Sequence, residues 1–423
     1  MPMIEALTAL EILDSRGRPT VSATCRLGSG AAASVSVPSG ASTGAAEAVE
    51  LRDGDSNRYG GLGCRKAVAN VNTTINEALQ GRELDQSRLD DALLELDGTA
   101  NKSNLGANAL LAVSLAFARA TAVERGVPLY QHFADLIDEP LATLPRLTVN
   151  LFSGGKHAGG QVSIQDVLLV PAADNIDDGL AAIYAVYYAA AGLVERKYGQ
   201  RLLRADEGGL APPCESSKTL LSEAVEAIRV AGLEPGRDMA LAVDVASSHF
   251  YSNGTYALDG ANFDSAGMIG ELSRWVDEFP IISLEDGLAE DDWRHWPQLR
   301  TTIGDRVMVL GDDFLCTNPV RIGRAIETGA ANALLLKVNQ IGTLTEAAHA
   351  RRLAKAAGWR ITVSARSGET EDNWLADLAV GWGADQIKIG SITQSERLAK
   401  YNRLLAIEAE TKLPLIAAPP RAS

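Results

Sequence analysis

Between residues 281 and 388 the chain reads Ile281-Ile282-Ser283-Leu284-Glu285, then Val307-Met308-Val309-Leu310-Gly311-Asp312, Ala333-Leu334-Leu335-Leu336-Lys337, Ile361-Thr362-Val363-Ser364-Ala365-Arg366 and Gln386-Ile387-Lys388. Each is a short apolar run that ends on a charge. An earlier run, Leu241-Ala242-Val243-Asp244, has the same form. Polar residues and then an amphipathic stretch follow each run. Units of about 25 to 40 residues, strand then helix, are the signature of a parallel β/α barrel. In such a barrel the C-terminal strand ends face one pocket. That register alone brings Asp244, Glu285, Asp312, Lys337, Arg366 and Lys388 to one focus. A lone charge at a strand end would be a cap or would pair with a neighbour. Three acids followed by three bases, all in register, point to a site.

The chemistry follows from the residue types. Three carboxylates at one focus repel each other unless a cation sits among them. A set of oxygen ligands without Cys or His favours a hard cation such as Mg²⁺ over zinc. A lysine surrounded by cations loses affinity for its proton and serves as a base near neutral pH. The combination suits proton abstraction next to a carboxylate, with Lys337 or Lys388 as the base. Two further segments add polar groups. Gly154-Gly155-Lys156-His157-Ala158-Gly159-Gly160 reads as a flexible lid that orders over an anion. Asp206-Glu207-Gly208-Gly209 places a carboxylate pair in a tight turn, and one of the two is a candidate acid for a leaving group.

Working outward, residues 1–135 read as a small α+β domain and 145–423 as the barrel. Val21 to Val37 alternates apolar and polar positions, as an antiparallel meander does. Asn104 to Glu124 is dense in Ala and Leu and reads as a helix. At 423 residues the chain exceeds one ordinary domain, and its 46% hydrophobic content supplies a large core. The net charge of −15 argues against nucleic acid as a partner. A small anionic substrate would need local help from metal ions or a basic pocket. Cys25, Cys64, Cys214 and Cys316 are scattered, as reduced thiols in a cytoplasmic protein are. The N-terminus has no basic segment leading into an apolar stretch, so no signal peptide is expected. No run of about 18 uninterrupted apolar residues occurs, so no membrane span is expected. The longest candidate, Leu180 to Val194, reads as a core helix.

Several segments then resemble the enolase family. They are Leu13-Asp14-Ser15-Arg16-Gly17, Ser39-Gly40-Ala41-Ser42-Thr43-Gly44, Leu96-Asp97-Gly98-Thr99, Asp206-Glu207-Gly208-Gly209, Leu335 to Gly342, Ser364 with Arg366 to Thr370, and Ser395 to Lys400. The resemblance spans essentially the whole chain. It implies a small α+β domain, an eight-stranded α/β barrel, two Mg²⁺ per active site and a cytoplasmic homodimer or higher homo-oligomer. It implies Asp244, Glu285 and Asp312 as ligands of the catalytic metal, and Ser42 as the residue holding a second Mg²⁺ with the substrate phosphate. It implies Lys337 as general base and Glu207 as the acid for the departing hydroxyl. Lys388 would bind the substrate carboxylate, Arg366 and Ser367 the phosphate, and His157 would close over it.

Two pocket positions depart from the family pattern. Ser364-Ala365-Arg366-Ser367 stands where enolases carry Ser-His-Arg-Ser, on the side where the hydroxyl leaves. Gln165-Asp166 stands where they carry Gln-Glu, which withdraws the carboxylate by about 1.5 Å. The retained metal ligands, base and anion clamp, with changes on the leaving-group side, imply a retooled lyase with an enlarged pocket. The expected reaction is β-elimination giving an enolpyruvate product from a modified 2-phosphoglycerate. Formation of carboxyphosphonoenolpyruvate in phosphonate antibiotic biosynthesis is one such reaction. The alternatives are the glycolytic conversion of 2-phosphoglycerate to phosphoenolpyruvate and a non-catalytic binding protein on this scaffold.

Overall fold

The computed structural model describes residues 1–41, 44–199 and 203–417. The chain opens with three antiparallel strands, β1 (Ile4–Leu13), β2 (Pro19–Leu27) and β3 (Ala32–Ser36), in the order β1-β2-β3. Helices α1 (Gln86–Asp97), α2 (Ala107–Arg125) and α3 (Leu129–Leu136) follow. The Ala- and Leu-rich α2 packs on β2 and β3 and is buried along most of its length. Gly126, at φ 65°, closes it in the left-handed conformation that glycine adopts at no steric cost. Among the described residues α2 is the one helix long and apolar enough to cross a membrane by composition; here its apolar surface serves the core of the small domain.

The barrel begins with β4 (Arg146–Ser153) and β5 (Asp166–Pro171), followed by helices α4 (Ile176–Tyr198) and α5 (Ser217–Val230). Then strands and helices alternate: β6 (Met239–Asp244), α6 (Ser265–Glu278), β7 (Ile281–Glu285), α7 (Trp296–Ile303), β8 (Met308–Gly311), α8 (Pro319–Thr328), β9 (Ala333–Leu336), α9 (Leu344–Ala356), β10 (Arg360–Ser364), α10 (Trp374–Gly381), β11 (Gln386–Gly390) and α11 (Ser395–Thr411). Strands β4 to β11 pair in chain order, and β11 pairs with β4 to close the barrel.

The all-parallel expectation needs one correction. β5 runs antiparallel to both β4 and β6, while the remaining pairs are parallel. β4 and β5 form a hairpin, so no helix crosses between them to reset the direction. A second difference concerns α4. Ile183, Val186, Tyr187, Ala190 and Val194 are buried, but Tyr184 and Tyr188 are 58% and 49% exposed. The segment expected as a core helix is one-sided and covers the barrel from outside.

The small domain sits against the barrel mouth. The backbones of Ser39 and Gly368 exchange hydrogen bonds of 2.8 and 2.9 Å. Lys102 pairs with Glu346 at 2.6 Å, and Arg119 with Asp372 at 2.5 Å. Ser39 and its neighbour Ala41 thereby reach the edge of the pocket described next.

Candidate active site

The strand-end register holds. Asp244, Lys337, Arg366 and Lys388 line one cavity together with His157, Gln165, Glu207, Ser364, Ala365 and Ser367. Glu285 and Asp312 join this group through the lysines. Lys388 Nζ donates to Asp244 Oδ2 at 2.9 Å and to Glu285 Oε2 at 2.7 Å, and Lys337 Nζ donates to Asp312. Gln165 adds a hydrogen bond to Asp244 Oδ2 at 3.2 Å, and Gln340 one to Asp312 Oδ1 at 2.8 Å. All of these groups are buried.

Charge balance explains the arrangement. Burial and the neighbouring Asp244 charge push the Glu285 carboxyl well above the usual range. Burial acts against the charge on Lys388, yet Asp244 and Glu285 outweigh it and lift its pKa well above the ordinary value. Lys337 follows the same rule: burial opposes its charge, and Asp312 more than compensates, so its pKa rises. The sequence argument expected cations to weaken the lysine's hold on its proton. In this arrangement the carboxylates are nearest and hold the proton on.

The donor set fits a hard divalent cation. The ligand atoms are carboxylate oxygens, and Glu285 Oε1 is buried with no hydrogen-bond partner. Asp244, Glu285 and Asp312 are currently drawn to the two ammonium groups. Among the described residues, the trios close enough to share one ion are Asp286, Asp312 and Asp313, and His157, Asp166 and Glu207. Ser42, expected at a second Mg²⁺, lies outside the described residues, although its neighbour Ala41 lines the cavity.

The anion clamp is more elaborate than expected. Arg366 is held by Glu47 through two hydrogen bonds of 3.1 Å each. Its amide N–H donates to Glu369 at 3.2 Å. Ser367 accepts from Arg16 Nη1 at 3.2 Å, which brings the Asp14-Ser15-Arg16-Gly17 segment to the same wall. Sequence reasoning missed Glu47, Gln340 and Glu369. Glu47 sits in the small domain with no spacing relation to the barrel strands, so only the fold reveals it.

The opposite wall carries the acid. Glu207 stands in the turn before Gly208, where φ is 85° and an added Cβ would come within 2.7 Å of Thr393 Oγ1. Only glycine fits there, and the turn aims Glu207 inward. Asn150 Nδ2 donates to Glu207 Oε2 at 3.0 Å. His157 lies between two carboxylates: Nδ1 is 2.9 Å from Asp166 Oδ2, and Nε2 is 3.7 Å from Glu207 Oε1. Ser153 Oγ donates to the other Asp166 oxygen at 2.6 Å. Burial works against an imidazolium, but Asp166 and Glu207 overrule it and raise the His157 pKa to about 9. Burial also acts to raise the Glu207 carboxyl, and the His157 charge brings it below its ordinary value.

Within the 154–160 loop, Gly154 N–H donates to Gln165 O at 2.8 Å, and residues 155–157 form a single tight turn. His157 lines the cavity, and Asp166 stands behind it; the cavity volume is about 10 Å³, room for one water.

An eight-stranded α/β barrel with buried acids and lysines at its strand ends, capped by a small α+β domain, defines a lyase-type scaffold. Residues 4–133 match the model of the enolase N-terminal domain, and residues 141–414 match that of the enolase C-terminal TIM barrel domain. The chain belongs to the enolase family, whose members typically use Mg²⁺.

Proposed function

We propose that this protein is a Mg²⁺-dependent carbon–oxygen lyase that removes a proton next to a carboxylate and expels a group from the adjacent carbon. The carrying observation is that Lys337 and Glu207 face one cavity from different elements, with Arg366 and Lys388 on its walls. Lys337 would take the α proton once Asp312, turned to a bound cation, no longer holds the lysine's own proton in place. Lys388 and Arg366 bind the two anionic ends of the substrate. Glu207 assists the leaving oxygen. Mg²⁺ held by Asp244, Glu285 and Asp312, with a second ion near Ser42, would supply positive charge to offset the doubly charged enolate.

The substrate we propose is a modified 2-phosphoglycerate, with carboxyphosphonoenolpyruvate formation as the type reaction. Ala365 supports it, because a methyl stands in the cavity wall at a position where a larger side chain would narrow the pocket. A second reading is conversion of 2-phosphoglycerate itself, supported by the cavity of about 10 Å³, which shows no extra room beside Ala365 for a bulkier substituent. The setting we propose is cytoplasmic, supported by four free, buried cysteines. Self-association as a homodimer is supported by Leu10 and Leu13, 69% and 53% exposed on edge strand β1.

The test uses Mg²⁺ and 2-phosphoglycerate or its carboxyphosphono analogue in D₂O. Wild type should exchange the α proton and form the enol product, faster with the analogue. Lys337→Ala should lose exchange by roughly 100-fold or more. Exchange at the wild-type rate in that variant would remove Lys337 from its role. Absence of exchange in wild type with both compounds would remove the lyase reading.

A further inference from the structure

We propose that His157 is a positioning residue that holds the proton destined for the leaving group and passes it through Glu207. The inference rests on the lyase reading above. Its basis is geometric. The two ring nitrogens face different carboxylates, Asp166 at 2.9 Å and Glu207 at 3.7 Å, and the ring is 7% exposed. Asp166 is fixed in turn by Ser153, so its Oδ2 is presented to Nδ1 of the ring. Among the residues lining the cavity, His157 is the one imidazole, and Ala365 offers none.

Against the opposing effect of burial, Asp166 and Glu207 favour the imidazolium form of His157, and its charge in turn favours the Glu207 carboxylate. The carbon–oxygen bond breaks with its electron pair going to oxygen. Nε2 of His157 gives its proton to the Glu207 carboxylate, and Glu207 passes that proton to the departing oxygen. The imidazole ends neutral, with Nδ1–H still donated to Asp166, and solvent restores the proton after the product leaves. The 3.7 Å gap is longer than a hydrogen bond, and catalytic contacts commonly tighten when substrate binds. Asp166 keeps the ring charged until it is needed.

The charges facing the ring come from several elements. Asp166 on β5, Glu207 in the turn and Asp244 at the end of β6 favour the imidazolium. Lys156 on the same loop and His157 both act on His249, whose pKa burial lowers first and their charges lower further. Lys388, Lys337 and Arg397 act on Glu207. The balance is acidic, so the ring stays charged through neutral pH.

The test measures two rates in the Mg²⁺-loaded full chain with 2-phosphoglycerate in D₂O: α-proton exchange and elimination. His157→Gln should lower the ratio of elimination to exchange by roughly 100-fold. Asp166→Asn should lower it less and move the alkaline limb of the elimination rate to lower pH. Equal loss of both rates in His157→Gln, or an unmoved limb in Asp166→Asn, overturns the proposal. If wild type neither exchanges nor eliminates, the lyase reading fails on this compound, and the charge of His157 decides the inference. In ¹⁵N-histidine protein its ring should be an imidazolium at pH 8 and lose that charge at lower pH in Asp166→Asn. A neutral wild-type ring at pH 8 also overturns it.

Discussion

Ala365 shows what one side chain decides. Its amide N–H donates to Lys388 O at 2.8 Å, so the backbone is fixed by the β10–β11 pairing and only the methyl is free to vary. The cavity beside it holds about 10 Å³. An imidazole at this position has no vacant space to enter. Ala365→His should therefore strain the wall, and overpacking of this kind costs about 1–3 kcal/mol. The expected outcome is a lower melting temperature and a loss of elimination that is larger for the carboxyphosphono analogue than for 2-phosphoglycerate. Thermal melts and paired rate measurements check it. Unchanged stability with improved turnover of both compounds would mean that the pocket opens more than this arrangement shows.

At the scale of elements, the helical pair α2–α3 carries a pH dependence of its own. His132 on α3 is 3% exposed, with Nδ1 3.1 Å from Arg125 at the end of α2 and Nε2 lacking a partner. Burial, reinforced by the Arg125 charge, lowers its pKa from 6.5 to about 4. The folded state therefore takes up a proton less readily than the unfolded chain. The stability this gives is full above pH 6.5 and is lost as the pH falls from there toward 4. By pH 5 the loss should be about 2 kcal/mol. Urea unfolding at pH 7.5 and 5 measures it, and His132→Gln should remove that part of the difference. An identical difference in the variant would locate the sensitive group elsewhere. Elements also explain what the sequence made legible. Strands β6 to β11 could be read because each apolar run ends on a functional charge. β5 is not among those runs: Asp166-Val167-Leu168-Leu169-Val170 ends on no functional charge and is equally apolar in either direction, so neither the strand nor its reversal is announced. Leu180 to Val194 reads as a core helix because alanine and tyrosine do not mark a solvent face as charges do. The site residues at strand ends followed from register; Glu47 and the embrace of His157 by Asp166 and Glu207 depend on how separate segments meet.

The whole molecule carries a net charge of −15 and concentrates buried carboxylates at the barrel mouth. Lys388 and Lys337 offset part of that charge, and a divalent cation would offset more. Mg²⁺ should raise the melting temperature with its concentration; at a hundredfold excess over the dissociation constant the stabilisation is about 2.7 kcal/mol. Asp244→Asn should abolish the rise, and a Mg²⁺ response equal to wild type would take Asp244 out of the ligand set. The reversed strand has a consequence at this scale. In a parallel barrel each strand brings only its final residues to the mouth. Because β5 runs the other way, it contributes its first residue, and Ser153 and Asp166 stand opposite each other in the β4–β5 pairing. The loop between them begins and ends on the same rim, with both anchors locked into the barrel wall. Between the anchors Ser163 ties the loop to Asp259, its N–H donating to Oδ1 at 3.3 Å and its Oγ accepting from the Asp259 N–H at 2.9 Å. Surface loops tolerate exchange best where such ties are kept. Libraries that vary residues 154–162 while keeping Ser163 and the two strands would vary leaving-group chemistry without touching the lysines or the metal-binding acids.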